Sequence, residues 1–258
     1  MNILLVNDDG IMAEGIHQLA GFLKKGFPEA RLYVCAPDQQ RSAAGHGITV
    51  RKPLYLQTFA FAQAQQAYTC SGTPADCVKA GLQVFKREGI HMDLVCSGIN
   101  MGSNLGNDIL YSGTVSAALE GIVCGVPSVA FSVCSHEPKH YEAFEPLIPS
   151  VCRCALAQGS TRWMFNVNVP DLPAKEICGM RFTKMGLREY DENFAFAQQE
   201  DGRYRYEYLG KERWMTGLPE DNDVRAFQEN CISITPLQRD LTEHEIAAKA
   251  EEFNISWK

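Results

Sequence analysis

A chain of 258 residues with 45% hydrophobic content carries enough apolar side chain for one large domain, or for a domain with an appendage. Its 24 Lys and Arg against 31 Asp and Glu leave a net charge of −7, which argues against a protein that tracks nucleic-acid phosphates by charge alone. No secretory apolar core and no run long enough to cross a bilayer is found, so a soluble, cytoplasmic protein without membrane partners is expected.

The first predicted strand, Ile3 to Val6, stops at Asn7 and runs into Asp8, Asp9 and Gly10. A buried parallel strand ending in paired acids sets two anionic side chains at the carboxyl edge of a sheet, where open α/β folds bind ligands. One acid suffices to cap the helix that follows, and a second beside it raises the pKa of one of the two unless a cation intervenes. Hard oxygen ligands of this kind favour Mg²⁺ or Mn²⁺. A dinucleotide fold places G-x-G-x-x-G here, and carboxylates in that position weaken a dehydrogenase reading.

The pattern continues as an alternation. Ile16, Leu19, Ala20 and Leu23 mark a helix over Gly15 to Lys25, followed by a strand from Arg31 to Ala36. The loop APDQQRSAAGHGIT, Ala36 to Thr49, offers the Ser42 hydroxyl to a metal and Arg41 or His46 to a phosphate, although a lone serine or histidine in a loop carries little by itself. Ala60 to Ala67 reads as a solvated loop or short helix. Thr73 and Pro74 open a helix to Lys86 in the positions of N-cap and first helical residue.

A strand from Leu94 to Ser97 leads into SGINMGSNLGN, whose glycines permit close backbone approach and whose Asn100 can present a carbonyl oxygen to a cation. Ser112, Gly113 and Thr114 then open a helix running to Cys124, and its free N–H groups suit an anion. A strand over Ser128 to Val133, a helix over Tyr141 to Ala157 and a strand over Trp163 to Val169 complete a doubly wound three-layer α/β/α sandwich. Ten cysteines in a chain this long imply reduced thiols, and Cys96, Cys124 and Cys134 read as small packing residues.

After Pro170 the character changes. Tyr204, Tyr206 and Tyr208 alternate with charged residues, as in an exposed hairpin arm whose aromatic face requires a cover. Cys231 to Thr235 reads as a strand, and Leu241 to Phe253 as an amphipathic terminal helix with Thr242 as N-cap. The division expected is a core over 1–170 and a segment over 171–258 that forms the arm and terminal helix and packs partly back on the core.

Together NDDG, APDQQRSAAGHGIT, SGTPADCV at Ser71 to Val78, SGINMGSNLGNDILYSGTVSAALEG at Ser97 to Gly121 and ISITPL at Ile232 to Leu237 resemble the SurE (stationary-phase survival protein E) family of metal-dependent nucleotidases. By this resemblance Asp8, Asp9, Ser42 and Asn100 match the ligands of one divalent metal, and Asn104, Ser112, Gly113 and Thr114 match the phosphate-contacting region. The resemblance further implies a Rossmann-like core and an arm exchanged within a homodimer or homotetramer. Ser71, where Thr is common, and Asn230 and Cys231, in place of a Gly and aromatic pair, depart from the pattern.

The reaction expected is hydrolysis of a nucleoside monophosphate, with 3′-nucleotides and polyphosphate also within the family's range, by water attacking phosphorus in line. Asp9 is the favoured acceptor of the water proton, and a rival route makes Asp8 a nucleophile. The alternative of another class is a nucleotide-sensing module that binds at the same site without turnover.

Overall fold

The computed structural model describes residues 1–191, 193–249 and 252–253. Its elements in chain order are β1 (Asn2–Val6), α1 (Glu14–Gly26), β2 (Arg31–Pro37), β3 (Leu56–Thr58), β4 (Gln66–Cys70), α2 (Pro74–Arg87), β5 (Leu94–Met101), α3 (Gly113–Val123), β6 (Ser128–Val133), α4 (Phe144–Gln158), β7 (Trp163–Val169), β8 (Met180–Phe182), β9 (Phe194–Gln198), β10 (Tyr204–Tyr208), α5 (Asp223–Gln228), β11 (Ile232–Gln238) and α6 (His244–Ala247). A nine-stranded sheet runs β3-β4-β2-β1-β5-β6-β7-β11-β8, and β9 and β10 form a separate antiparallel hairpin.

The central strands β4, β2, β1, β5, β6 and β7 are mutually parallel, while β3 and β11 pair antiparallel to their neighbours β4 and β7. Ile3, Leu4, Leu5 and Val6 are all fully buried, as expected of a strand covered on both faces. Each such aliphatic side chain contributes about 1.5–3 kcal/mol by leaving water. Ile3 and Leu5 join the core beneath α1 and α4, and Leu4 and Val6 the core beneath α2. That is the three-layer α/β/α sandwich expected. No helix among the described residues is long and apolar enough to cross a membrane.

Local chemistry explains where the helices start. The Thr73 hydroxyl accepts from the Asp76 amide at 3.1 Å and Asp76 accepts from the Thr73 amide at 3.0 Å, a capping box at the head of α2. Helix α1 has Ala13 at its N-cap with no side-chain cap, so neither Asp8 nor Asp9 serves that purpose. Gly15 in its first turn lies so close to β5 that a Cβ would stand 1.9 Å from the Ile99 carbonyl oxygen.

Several expectations need correction. The Ala60 to Ala67 stretch is neither wholly loop nor helix: β4 begins at Gln66 and pairs with β2 and β3, using a half-buried edge pattern that gives a weak periodic signal. Cys96 is buried, but Cys124 is exposed, because it lies just past the last turn of α3. Cys178 and Cys231 form a disulfide, since they precede the neighbouring strands β8 and β11. The described part of the terminal helix is His244–Ala247 with Glu243, not Thr242, at its N-cap; residues 250 and 251 of the expected helix lie outside the described residues. The C-terminal portion is bound into the core sheet through β11, hydrogen-bonded between β7 and β8.

Candidate active site

The winding of the sheet reverses between β1 and β5, since β2 lies on one side of β1 and β5 on the other. A crevice opens at the carboxyl ends of strands at such a point. Here it is an open cleft of about 230 Å³ whose wall includes Asp8, Asp9, Ser42, Asn100, Asn104 and Ser112. Residues from four separate stretches of sequence are thereby brought together.

Asp8 is 6% exposed. Its Oδ1 accepts from the Thr114 hydroxyl at 2.5 Å and its Oδ2 from the Thr114 amide at 3.2 Å, so the start of α3 is aimed at this carboxylate. Burial pushes the Asp8 pKa up to about 6, against the opposing pull of the Thr114 hydroxyl, and the Asp9 charge raises it further. Asp9 is half-buried and also raised by burial; its Oδ2 accepts from the Met101 amide at 3.1 Å and its Oδ1 from Gln40 at 3.4 Å. Gly113 has a steric role: a Cβ there would meet the Asp8 Cβ at 2.8 Å and the Pro74 ring at 2.9 Å.

The Asn100 amide Nδ2 donates to the Gly102 carbonyl at 2.7 Å, leaving Oδ1 as its acceptor on the cleft. The exposed Ser42 hydroxyl has no protein partner among the described residues; its loop is fixed by the Arg41 amide donating to the Asp8 carbonyl at 2.7 Å. Two carboxylates, a hydroxyl and an amide oxygen form an all-oxygen set, and the two acids held together at a half-dry edge have no Lys or Arg salt-bridge partner among the described residues, only the more distant influence of His136 on Asp9. This donor chemistry fits a hard divalent cation. No group of three or more His, Cys, Asp or Glu able to hold a metal occurs among the described residues, so a set built on this pair would have to be completed by neutral oxygen donors, of which Ser42 and Asn100 line the same cleft.

The residues expected at the phosphate divide. Ser112 caps α3 by accepting from the Val115 amide at 3.0 Å and keeps its hydroxyl proton for the cleft. Asn104 is buried and committed in part: its Nδ2 donates to Ser132 at 2.8 Å, and its carbonyl accepts from Asn166 and Asn168. Thr114, expected beside phosphate, spends both its hydroxyl and its amide on Asp8 instead. Replacing Thr114 by Val is expected to cost about 1.5–3 kcal/mol at that charged acceptor, and thus turnover by tenfold or more, with phosphate release and thermal denaturation as the paired measurements.

Arg41 and His46 are turned elsewhere. Arg41 bonds Asp38 and the Ser71 carbonyl, each at 3.0 Å, while His46 bonds the buried Glu120 at 2.8 Å, an acidic partner 74 residues away that no local pattern discloses. Sequence reasoning also passed over Asp108, Tyr111 and His136, which line the cleft. His136 follows the end of β6 by three residues, so the carboxyl-edge rule used for Asp8 would have found it. Asp108 is gripped from the C-terminal segment, where Arg188 Nη1 donates to its Oδ2 at 2.8 Å and the Tyr190 hydroxyl donates to the same oxygen. Arg188 also holds Ser103 at 3.0 Å, Asn107 through its amide at 2.6 Å, and both oxygens of Glu212.

Fold and cleft thus define a Rossmann-like α/β protein with an acidic, hydroxyl- and amide-lined site at its topological switch point. Residues 3–192 match the family described as "Survival protein SurE". The chain is similar to proteins named 5′-nucleotidase SurE from Heliobacterium modesticaldum, 42% identical over 98% of this chain and 92% of that one, and from Fervidobacterium nodosum, 40% identical over 97% and 96%. It also superposes on the crystal structure of the SurE protein from Aquifex aeolicus with a TM-score of 0.82 at 37% identity, covering 98% of this chain and 99% of the other. The chain belongs to the SurE family.

Proposed function

We propose that this protein is a divalent-metal-dependent 5′-nucleotidase, a phosphomonoesterase acting on nucleoside monophosphates. The observation that carries the reading is the meeting of Asp8, Asp9, Ser42 and Asn100 with Ser112 and Asn104 in one cleft. Asp8, Asp9, Ser42 and Asn100 would hold one Mg²⁺ or Mn²⁺. Such a cation supplies an acidified water and offsets charge on the phosphoryl oxygens.

The remaining work falls to the chain. Thr114 locks Asp8 in place, with both carboxylate oxygens engaged, which supports an anchoring role over a nucleophilic one. Asp9, less buried and nearer the open side, accepts the proton of the attacking water. The Ser112 hydroxyl and the remaining Asn104 N–H position the phosphate, and Gly113 leaves the space that lets Asp8 lie against the start of α3.

In this reading residues 1–170 carry the chemistry and 171–258 carry the arm through which two or four copies assemble. The arm supports this: Phe194 stacks on Tyr206 at 4.7 Å and Phe196 on Tyr204 at 4.9 Å, all four exposed on one face of the hairpin. Sizing in solution is expected to give an even-numbered assembly.

The test is phosphate release from AMP and GMP with Mn²⁺ or Mg²⁺, abolished by EDTA and restored by metal, with 3′-AMP and polyphosphate as further arms of the panel. Tight nucleotide binding without phosphate release would overturn the enzyme reading in favour of a sensing module.

A further inference from the structure

Hydrolysis of an alkyl phosphate leaves a strongly basic oxygen on the departing group, and that oxygen needs a proton as the P–O bond breaks. The cleft holds few groups able to deliver one. Asp8 and Asp9 are bound up with Thr114 and Met101 and are assigned to the cation. Asp108 has its Oδ2 taken by both Arg188 and Tyr190, and Tyr111 offers a phenol hydroxyl, ordinarily a hydrogen-bond group rather than a proton donor in such a step. His136 remains, and histidine is the side chain that exchanges its proton in this range.

We propose that His136 is the general acid that protonates the leaving oxygen of the phosphomonoester. It lines the same cleft as the paired aspartates, on the loop that follows β6. No protein hydrogen bond takes either ring nitrogen among the described residues, and none joins the ring to Asp8 or Asp9. The ring is placed by packing: at Gly102, with φ +112°, a Cβ would stand 2.9 Å from His136 Cε1 and 3.2 Å from Nδ1. Glycine there lets the imidazole sit directly against the backbone of the cleft-lining loop, leaving its nitrogens open to substrate. The buried Glu120 holds His46, the other histidine of the neighbouring loop, outside this role.

The inference rests on the phosphomonoesterase reading, and the step balances. The water oxygen bonds phosphorus and gives a proton to Asp9; the P–O ester bond breaks, its electron pair stays on the ester oxygen, and that oxygen takes the imidazolium proton. The products are an alcohol and inorganic phosphate, and proton transfer from Asp9 through solvent restores the imidazolium.

A leaving group that departs without a proton should not need His136. His136→Gln and His136→Asn are to be compared with wild type on AMP and on aryl phosphates graded by leaving-group pKa down to p-nitrophenyl phosphate. Thermal denaturation serves as the fold control. The expected result is a loss of about 10²-fold or more in kcat/KM on AMP, a change within about threefold on p-nitrophenyl phosphate, and a steeper dependence on leaving-group pKa in the variants. An equal loss on all substrates, or no loss on AMP, overturns the assignment. Wild-type activity on the aryl esters without activity on AMP defeats the nucleotidase reading instead, and the slope across those esters still decides the role of His136. No wild-type turnover of any ester defeats both.

Discussion

Replacing Asp8 and Asp9 together with asparagine should lower phosphate release by about 10³-fold or more, a loss of roughly 4 kcal/mol of transition-state stabilisation. Asparagine keeps the shape and loses the charge. Calorimetric titration with Mn²⁺ should lose its signal in the double variant; full turnover with undiminished metal binding would sink the proposed cation site. The Asp8→Asn change alone carries a second, opposite consequence for stability. With Asp8 raised from 3.8 to about 6 by burial, roughly two units at about 1.4 kcal/mol each disfavour the carboxylate, an upper bound of about 3 kcal/mol. A raised folded pKa means that the ionised form burdens the native state, so the metal-free wild type loses stability as pH rises from about 4 through 6. In EDTA the neutral Asp8→Asn variant should therefore match wild type near pH 4 and exceed it at pH 7, by less than that bound because the amide pairs less well with Thr114. A variant less stable than wild type at pH 7 would contradict the burial argument.

The second large effect is mechanical. Gly15→Ala inserts a methyl group 1.9 Å from the Ile99 carbonyl oxygen, a backbone atom of β5 that cannot swing aside. Either α1 lifts from the sheet, opening the core around Ile16 and Leu19, or β5 shifts and carries Asn100 with it. Overpacking of this kind costs about 3 kcal/mol or more, which for a chain of this size lowers Tm by roughly 6–12 °C. Circular dichroism melting measures it, and a Tm unchanged within about 2 °C would overturn the close packing of α1 on β5. Activity should fall with it, since Asn100 rides on the strand that must move.

Much of this architecture could be read from the chain because buried parallel strands are written as unbroken apolar runs. Ile3 to Val6 is such a run, Ser128 to Val133 and Trp163 to Val169 come close to it with two serines and two asparagines respectively, and each ends where its chemistry begins or its helix follows. The strands passed over, β3, β4 and β8, are short or lie towards a sheet edge, where half-exposed positions dilute the pattern. That Asp8, Asp9 and Asn100 share one cleft was legible because strand ends announce themselves. The target of Thr114 was not: a sequence tells that a helix begins, but not whether its amides face a ligand or a carboxylate from another strand. The pairings of His46 with Glu120 and of Arg188 with Asp108 span 74 and 80 residues, and no local periodicity encodes them.

The placement of β11 between β7 and β8 bears on any attempt to isolate the core. Cutting the chain after residue 170 would strip β7 of its neighbour and bare the open N–H and C=O groups along Trp163–Val169, on a strand that is buried and apolar but for Asn166 and Asn168. Such an unpaired border is a template for aggregation. The last strand thus acts as a guard on the sheet's flank, making solubility of the core depend on residues that come late in synthesis.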